Sequence, residues 1–346
     1  MTRYGLFLPT SSNGHVASTA LDPGDPTFEQ NLRLTAQAES FGMDFVLGMV
    51  KFRGPGEGSR YWDASLEAFT LAGGLLAATR RIQVIASVGI LSIHPAVVAR
   101  MAATLDSIGP GRVGINVVSG WNAQEYSQMG LWPGDAYYGY RYEYAREYIE
   151  ILHELWSTGT SSYTGRYFDL EDCNGRPRPS SRIPLLCAGS SEKGREMTAR
   201  FADENLTQLS PGLAEATADI AARARAHGRD VTANVLTTVV LADTDDLAWE
   251  RVRYLNAHTD HAALSGRREQ SARDSGNVGG TAAQAATMVQ AVNEDLVVAG
   301  STDSVARQLS RIAASEGVSA ITLQFDDFDD GLTRFGRDVL PLLRAS

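Results

Sequence analysis

Two cysteines, Cys173 and Cys187, are too few for a disulfide framework, and neither has zinc-ligand spacing. No run of about 18 apolar residues is present, so no segment is expected to cross a bilayer. Basic residues are the minority: 31 Lys and Arg against 41 Asp and Glu leave a net charge of −10. That balance disfavours nucleic acid and anionic membranes as general partners. The amino terminus, Met1 to Pro9, lacks the apolar stretch and cleavage site of a secretory signal, and a soluble cytoplasmic protein is expected. A Gly-x-Gly-x-x-Gly turn after the first strand is also missing, which speaks against a Rossmann-like sheet. There is no Gly-x-Ser-x-Gly elbow, and neither cysteine has an obvious histidine partner, so hydrolysis by a side-chain nucleophile is poorly supported.

What is present is alternation. Short β-branched or aromatic runs alternate with longer helical patterns, the signature of βα units around a parallel sheet. Strands are expected at Tyr4–Leu8, Asp44–Met49, Ile82–Val88, Arg112–Val118, Pro184–Ala188, Asn205–Leu209, Asn234–Ala242 and Ala320–Phe325. Helices are expected between them, among them Phe28–Phe41, Ser65–Thr79, Pro95–Ile108, Tyr138–Trp156, Asp245–Ala263 and Val305–Glu316, with a closing helix from about Leu332 to Leu343. A hairpin is expected around Gly165-Arg166, and Arg267–Val278 reads as a polar, mobile stretch. Eight such units predict an α/β fold, a (β/α)8 TIM barrel with insertions after strands four and seven. No linker divides the chain, so residues 1–346 read as one domain.

In such a barrel the site lies at the carboxyl ends of the strands. This selects Met49-Val50-Lys51, Ser87, Asn116 to Trp121, Gly189-Ser190-Ser191 and Asp326-Asp327. The turn Ala188-Gly189-Ser190-Ser191 runs from strand to helix, where small residues and free N–H groups suit a phosphate; a plain turn with Ser191 as N-cap is the equal alternative. Lys51, one of only two lysines, is either a cation beside an anionic ring system or an ordinary surface residue. Gly54-Pro55-Gly56-Glu57-Gly58 reads as a mobile lid and not a nucleotide loop. His258 and His261 could form half a metal site, but no third ligand of matching spacing is evident, so no metal is expected. Asp326-Asp327-Phe328-Asp329-Asp330 could hold Mg²⁺, but carboxylates capping the last helix account better for the pattern.

Longer motifs narrow the reading. Arg100 to Ile108, followed by Gly111-Arg112-Val113-Gly114-Ile115-Asn116-Val117-Val118-Ser119-Gly120-Trp121, resembles the bacterial luciferase-like flavin monooxygenases. With Glu125 to Asp135, Arg141-Tyr142 and Cys187 to Ser191, the chain is similar to the branch that opens pyrimidine (uracil) rings oxidatively. Phe45 to Gly54, Trp62-Asp63 and Phe325 to Phe328 fit the same pattern.

The resemblance implies an FMN-dependent monooxygenase that takes reduced flavin (FMNH2) from a separate NAD(P)H:flavin reductase and reacts it with O2. The oxygen adduct, a peroxide expected at flavin N5, would attack a carbonyl of a cyclic amide or related heterocycle and break a C–N bond. By the same resemblance Val50 and Lys51 lie beside the flavin ring, and Asn116 and Glu125 complete its site. Arg141, Tyr142 and Ser191 hold the phosphate, with Gly189 and Ser190 in the turn. Ser87 stands where a threonine helps hold dioxygen, and Asn116, Trp121 and Glu125 border the substrate. Leu206 replaces a phenylalanine that would stack on a pyrimidine, and His15 stands where a bulky aromatic is expected, so the substrate pocket differs in shape. A dimer or higher homo-oligomer is a further implication. Two other readings remain open: a deazaflavin-dependent hydride-transfer enzyme of the same superfamily, and a non-catalytic flavin-binding barrel.

Overall fold

The computed structural model describes residues 1–21, 24–55, 58–274 and 288–345. Its strands are β1 (Arg3–Phe7), β2 (Phe45–Gly48), β3 (Gln83–Gly89), β4 (Val113–Val118), β5 (Thr160–Ser161), β6 (Cys173–Asn174), β7 (Leu185–Cys187), β8 (Glu204–Gln208), β9 (Thr232–Leu241), β10 (Val297–Gly300) and β11 (Val318–Phe325). Eight of them pair in parallel in the order β9-β11-β1-β2-β3-β4-β7-β8, and β8 pairs back onto β9. That last pairing closes the sheet into a (β/α)8 barrel. The short strands β5 and β6 form a separate antiparallel pair in the insertion after β4. Strand β10 adds to the carboxyl-terminal half of β9, Val297 to Gly300 against Thr238 to Leu241, on the mouth side of the barrel.

Helices pack outside. Those used below are α1 (Phe28–Phe41), α2 (Ala68–Ala78), α3 (Pro95–Ile108), α4 (Ala123–Ser127), α5 (Tyr137–Thr158), α6 (Glu192–Phe201), α7 (Leu213–Ala226), α8 (Asp245–Ala257) and α9 (His261–Ala272). The starts follow from local chemistry: the His94 ring accepts from the Ala96 N–H ahead of Pro95 in α3, and Ser191 caps α6. Strand residues such as Val46, Val84, Ile115 and Ile321 are buried against Leu34, Leu75, Val98 and Leu309 of the surrounding helices. Inside the barrel sit Phe7, Phe45, Leu47, Ile85, Leu186 and Ala320. The amino-terminal end of the barrel is plugged. Arg3 pairs with Glu204, Asn234 Nδ2 donates to Glu204 at 3.2 Å, and Thr322 donates to Asn234 Oδ1 at 2.7 Å. With the base sealed, the open end is the carboxyl-terminal one.

Several boundaries differ from the sequence reading. The single helix expected at Asp245–Ala263 is two helices, α8 and α9, because Asp260 accepts from the Ala263 N–H and restarts the helix. Residues 267–272, the first part of the stretch expected to be mobile, are therefore helical, and its last part, from 275, lies outside the described residues, as do positions 56–57 of the expected lid. Strand β10 was not anticipated. The hairpin is present, with Thr164 bridging Asp169 and the β5–β6 pairing displaced outward from the expected pieces.

Candidate active site

One end of the site is a turn. Strand β7 leads through Ala188–Ser191 into α6, and the Ser191 hydroxyl accepts from the Gly194 N–H at 3.2 Å. A methyl group on Gly189 would lie 2.7 Å from the Gly194 carbonyl oxygen, so only glycine lets turn and helix approach so closely. The Tyr142 hydroxyl, from α5, meets Ser191 Oγ at 2.9 Å. Beside it the buried Arg141 donates through Nη1 to Asp274 Oδ2 at 2.6 Å and through Nη2 to the Tyr142 hydroxyl at 3.4 Å. Two buried polar atoms here have no partner, Ser190 Oγ and Arg141 Nε. Unmatched donors next to the amino end of a ten-residue helix are the groups that an anion with several oxygens would use.

Ala188 also borders a chamber of about 230 Å³ at the barrel mouth. Lys51, just beyond β2, and Glu125, in the short helix α4, form an ion pair inside it, both side chains under a tenth exposed. The second Glu125 oxygen accepts from the Phe52 N–H at 3.2 Å. The Lys51 ammonium lies 4.7 Å from the centre of the Trp62 ring and 5.6 Å from that of Trp121. Burial lowers the Lys51 pKa, against the opposing pull of Glu125. On the chamber floor Asn116 Nδ2 donates to Ser87 Oγ at 2.9 Å across paired strands β3 and β4. Asn116 Oδ1 is buried and has no partner. It is an acceptor waiting for a ligand N–H or O–H.

The first loop closes one side. His15 stacks on Phe7 with ring centres 4.1 Å apart, and burial pushes its pKa down to about 4, so it is neutral at pH 7. Trp62 has a left-handed backbone (φ 63°), held by its indole N–H donating to the Gly14 carbonyl at 3.0 Å and by stacking on Tyr61. A bulky residue in that region is strained and persists where its surroundings fix it. Arg267 of α9, Gln208, Leu206, Leu236 and Gln324 complete the wall.

A luciferase-like monooxygenase family model matches residues 2–320. The chain belongs to the luciferase-like monooxygenase family. It is 42% identical over 349 residues to "Pyrimidine monooxygenase RutA" of Bradyrhizobium sp. (strain BTAi1), covering 99% of this chain and 97% of that protein. The same-named protein of Escherichia coli K12 is 41% identical, with 100% of this chain and 92% of that one covered. Among solved structures, riboflavin lyase RcaE, determined with modified FMN and riboflavin, superposes with a TM-score of 0.86 at 21% identity. It covers all of this chain and 92% of its own, and at that identity it attests to the fold.

In this luciferase-like monooxygenase the residues singled out from sequence fall into two groups. Val50, Lys51, Ser87, Asn116, Trp121, Glu125 and Leu206 line the chamber. Arg141 and Tyr142 gather at the Gly189-Ser190-Ser191 turn. Lys51 is no free cation, because Glu125 neutralises it. Three contributors were not singled out: Trp62 as a chamber wall, Arg267, and Asp274, whose carboxylate fixes Arg141. Arg267 and Asp274 come from a polar stretch whose burial no periodicity reveals. The histidine pair does not share a helix: His258 ends α8 and His261 opens α9. Among the described residues no group of three or more His, Cys, Asp or Glu is placed to hold a metal ion, and no helix is long and apolar enough to cross a membrane. Asp327 caps the following helix by accepting from the Asp329 and Asp330 N–H groups, each at 3.0 Å, and Asp326 pairs with Arg251.

Proposed function

We propose that the protein is an FMN-dependent, two-component monooxygenase that attacks a ring carbonyl of a pyrimidine or related cyclic amide and breaks the adjacent C–N bond. The observation that carries this is Asn116: its amide nitrogen is fixed by Ser87, its buried oxygen has no partner, and its side chain lines the chamber that Ala188 also borders, next to the Gly189-Ser190-Ser191 turn. A phosphate-bearing ring cofactor fits that arrangement: Arg141, Tyr142, Gly189, Ser190 and Ser191 would hold its phosphate, and Val50, Lys51 and Asn116 would border its ring. The names of the two 41–42% identical relatives give the chemistry the same direction.

Reduced flavin supplies the electrons that activate O2. The chain's own residues do the rest by positioning. Ser87 and Asn116 supply a hydroxyl and an amide that can orient small polar groups at the strand ends. The Lys51–Glu125 pair presents charge with no net sign beneath Trp62 and Trp121. Apolar walls from Leu206, Leu236 and Trp121 exclude water that would quench a reactive oxygen species. His15, neutral and tied to Phe7, is not placed as a base, so catalysis rests on orientation and hydrogen bonding.

The test is oxygen uptake with FMN, NADH and an added flavin reductase, on uracil, thymine and bulkier lactams. Coupled loss of one ring substrate and O2 supports the reading. Saturable binding of a deazaflavin with none of FMN would replace it with hydride transfer, and FMN binding without substrate-dependent oxygen use would leave a non-catalytic barrel.

A further inference from the structure

We propose that Arg267 makes the chamber selective for a ring substrate that carries an anionic group, a carboxylate or its equivalent. This rests on the functional reading above and names the class of molecule that site takes.

Arg267 lies on α9, is 7% exposed and lines the chamber. Its guanidinium sits 4.9 Å from the centre of the Trp62 ring, on which a planar cation is well supported. Nη1 reaches the neutral sulfur of Met288 at 3.2 Å, and Nε is buried with no partner. Among the described residues no carboxylate pairs with it. The contrast with the other buried cations of the site is direct: Lys51 has Glu125, and Arg141 has Asp274. Asp260, which caps the same helix, is engaged by the Ser59 N–H and hydroxyl and by the Ala263 N–H. With His15 neutral, the chamber around Trp62 therefore holds one positive charge in excess.

An unpaired buried charge is destabilising unless a ligand completes it. A guanidinium offers a planar fork of donors that matches a carboxylate in two parallel hydrogen bonds, and the unpartnered Nε leaves one donor of that fork unmatched. The cofactor phosphate has its own seat at the Ser191 turn, built from different residues. The anion that Arg267 awaits therefore belongs to the substrate. Gln208 and Gln324 on the same wall add neutral donors and acceptors for the rest of the ring.

The probes are orotate, a pyrimidine with a carboxylate, and uracil, the same ring without one, titrated calorimetrically into FMN-free and FMN-loaded protein. The variants are Arg267→Met and Arg267→Lys. Wild type is expected to bind orotate at least about tenfold more tightly than uracil, a difference of about 1.4 kcal/mol. Arg267→Met should abolish the preference, leave FMN affinity unchanged and raise the melting temperature of the ligand-free protein, because it removes an unpaired buried charge. Arg267→Lys should keep part of the preference. Equal binding of the two rings by wild type overturns the proposal. So does an Arg267→Met protein that keeps the preference but loses FMN affinity, which would assign the guanidinium to the flavin. A carboxylate preference in a protein that binds no FMN would support the present inference while removing the functional reading beneath it.

Discussion

Replacing Glu125 by glutamine tests the heart of the chamber. The substitution keeps the shape and an acceptor for the Phe52 N–H but leaves the Lys51 ammonium buried without its counter-charge, near Arg267. Removing one partner of a buried pair costs about 3–5 kcal/mol. The loss has a ceiling, because lysine can instead give up its proton. From an ordinary value near 10.4, deprotonation at pH 7 costs about 4.6 kcal/mol, and at pH 9.5 only about 1.2 kcal/mol. The sign follows from proton binding. With the folded-state pKa depressed, the unfolded state holds more protons between that value and about 10.4, so the variant's stability rises with pH across this window. Urea denaturation should then show Glu125→Gln less stable than wild type by about 3–4.6 kcal/mol near pH 7, shrinking to roughly 1 kcal/mol near pH 9.5. Lys51→Met combined with Glu125→Gln should recover most of the loss, with a coupling energy above about 2 kcal/mol. A cost that is the same at both pH values, or single-variant costs that simply add, would refute a buried ion pair.

Gly189→Ala places a methyl group 2.7 Å from the Gly194 carbonyl oxygen, and should weaken FMN binding at least about tenfold in a fluorescence titration while the barrel still folds. Asn116→Ala should lower kcat with substrate far more than it lowers FMN affinity; the opposite ranking would make Asn116 a cofactor contact alone. His15 has a folded-state pKa of about 4 against an ordinary 6.5, so stability is present above 6.5 and lost as pH falls toward 4. The full loss is roughly 3 kcal/mol, and His15→Phe should remove that slope from a denaturation series between pH 7 and 4.5.

The barrel was legible because its strands are short apolar runs with helical patterns between them, and a parallel sheet buried on both faces writes itself that way. Strand β10 escaped because Val297-Val298-Ala299-Gly300 is four residues long, and only its pairing with β9 distinguishes it from a loop. The break between α8 and α9 turned on one capping carboxylate, Asp260, in a stretch whose helical periodicity continues on both sides. Asn116, Glu125 and the Ser191 turn were readable because they sit in contiguous motifs at or just beyond strand ends. Arg267 was not, and Trp62 was read only as part of a motif, since each becomes a wall residue only through the path of a long loop or an insertion that folds over the mouth. The pairing of Lys51 with Glu125 spans 74 positions and is a product of closure alone.

The Arg141–Asp274 pair bears on residence time. A phosphate bound at this turn as proposed would meet an arginine already neutralised by a carboxylate at 2.6 Å, so its grip would come from hydroxyls, backbone N–H groups and the unpaired Nε. Such a seat discriminates by shape while adding little net Coulombic attraction, which favours rapid departure over permanent retention. On the two-component reading proposed above, a flavin held this way would be free to exchange at every turnover.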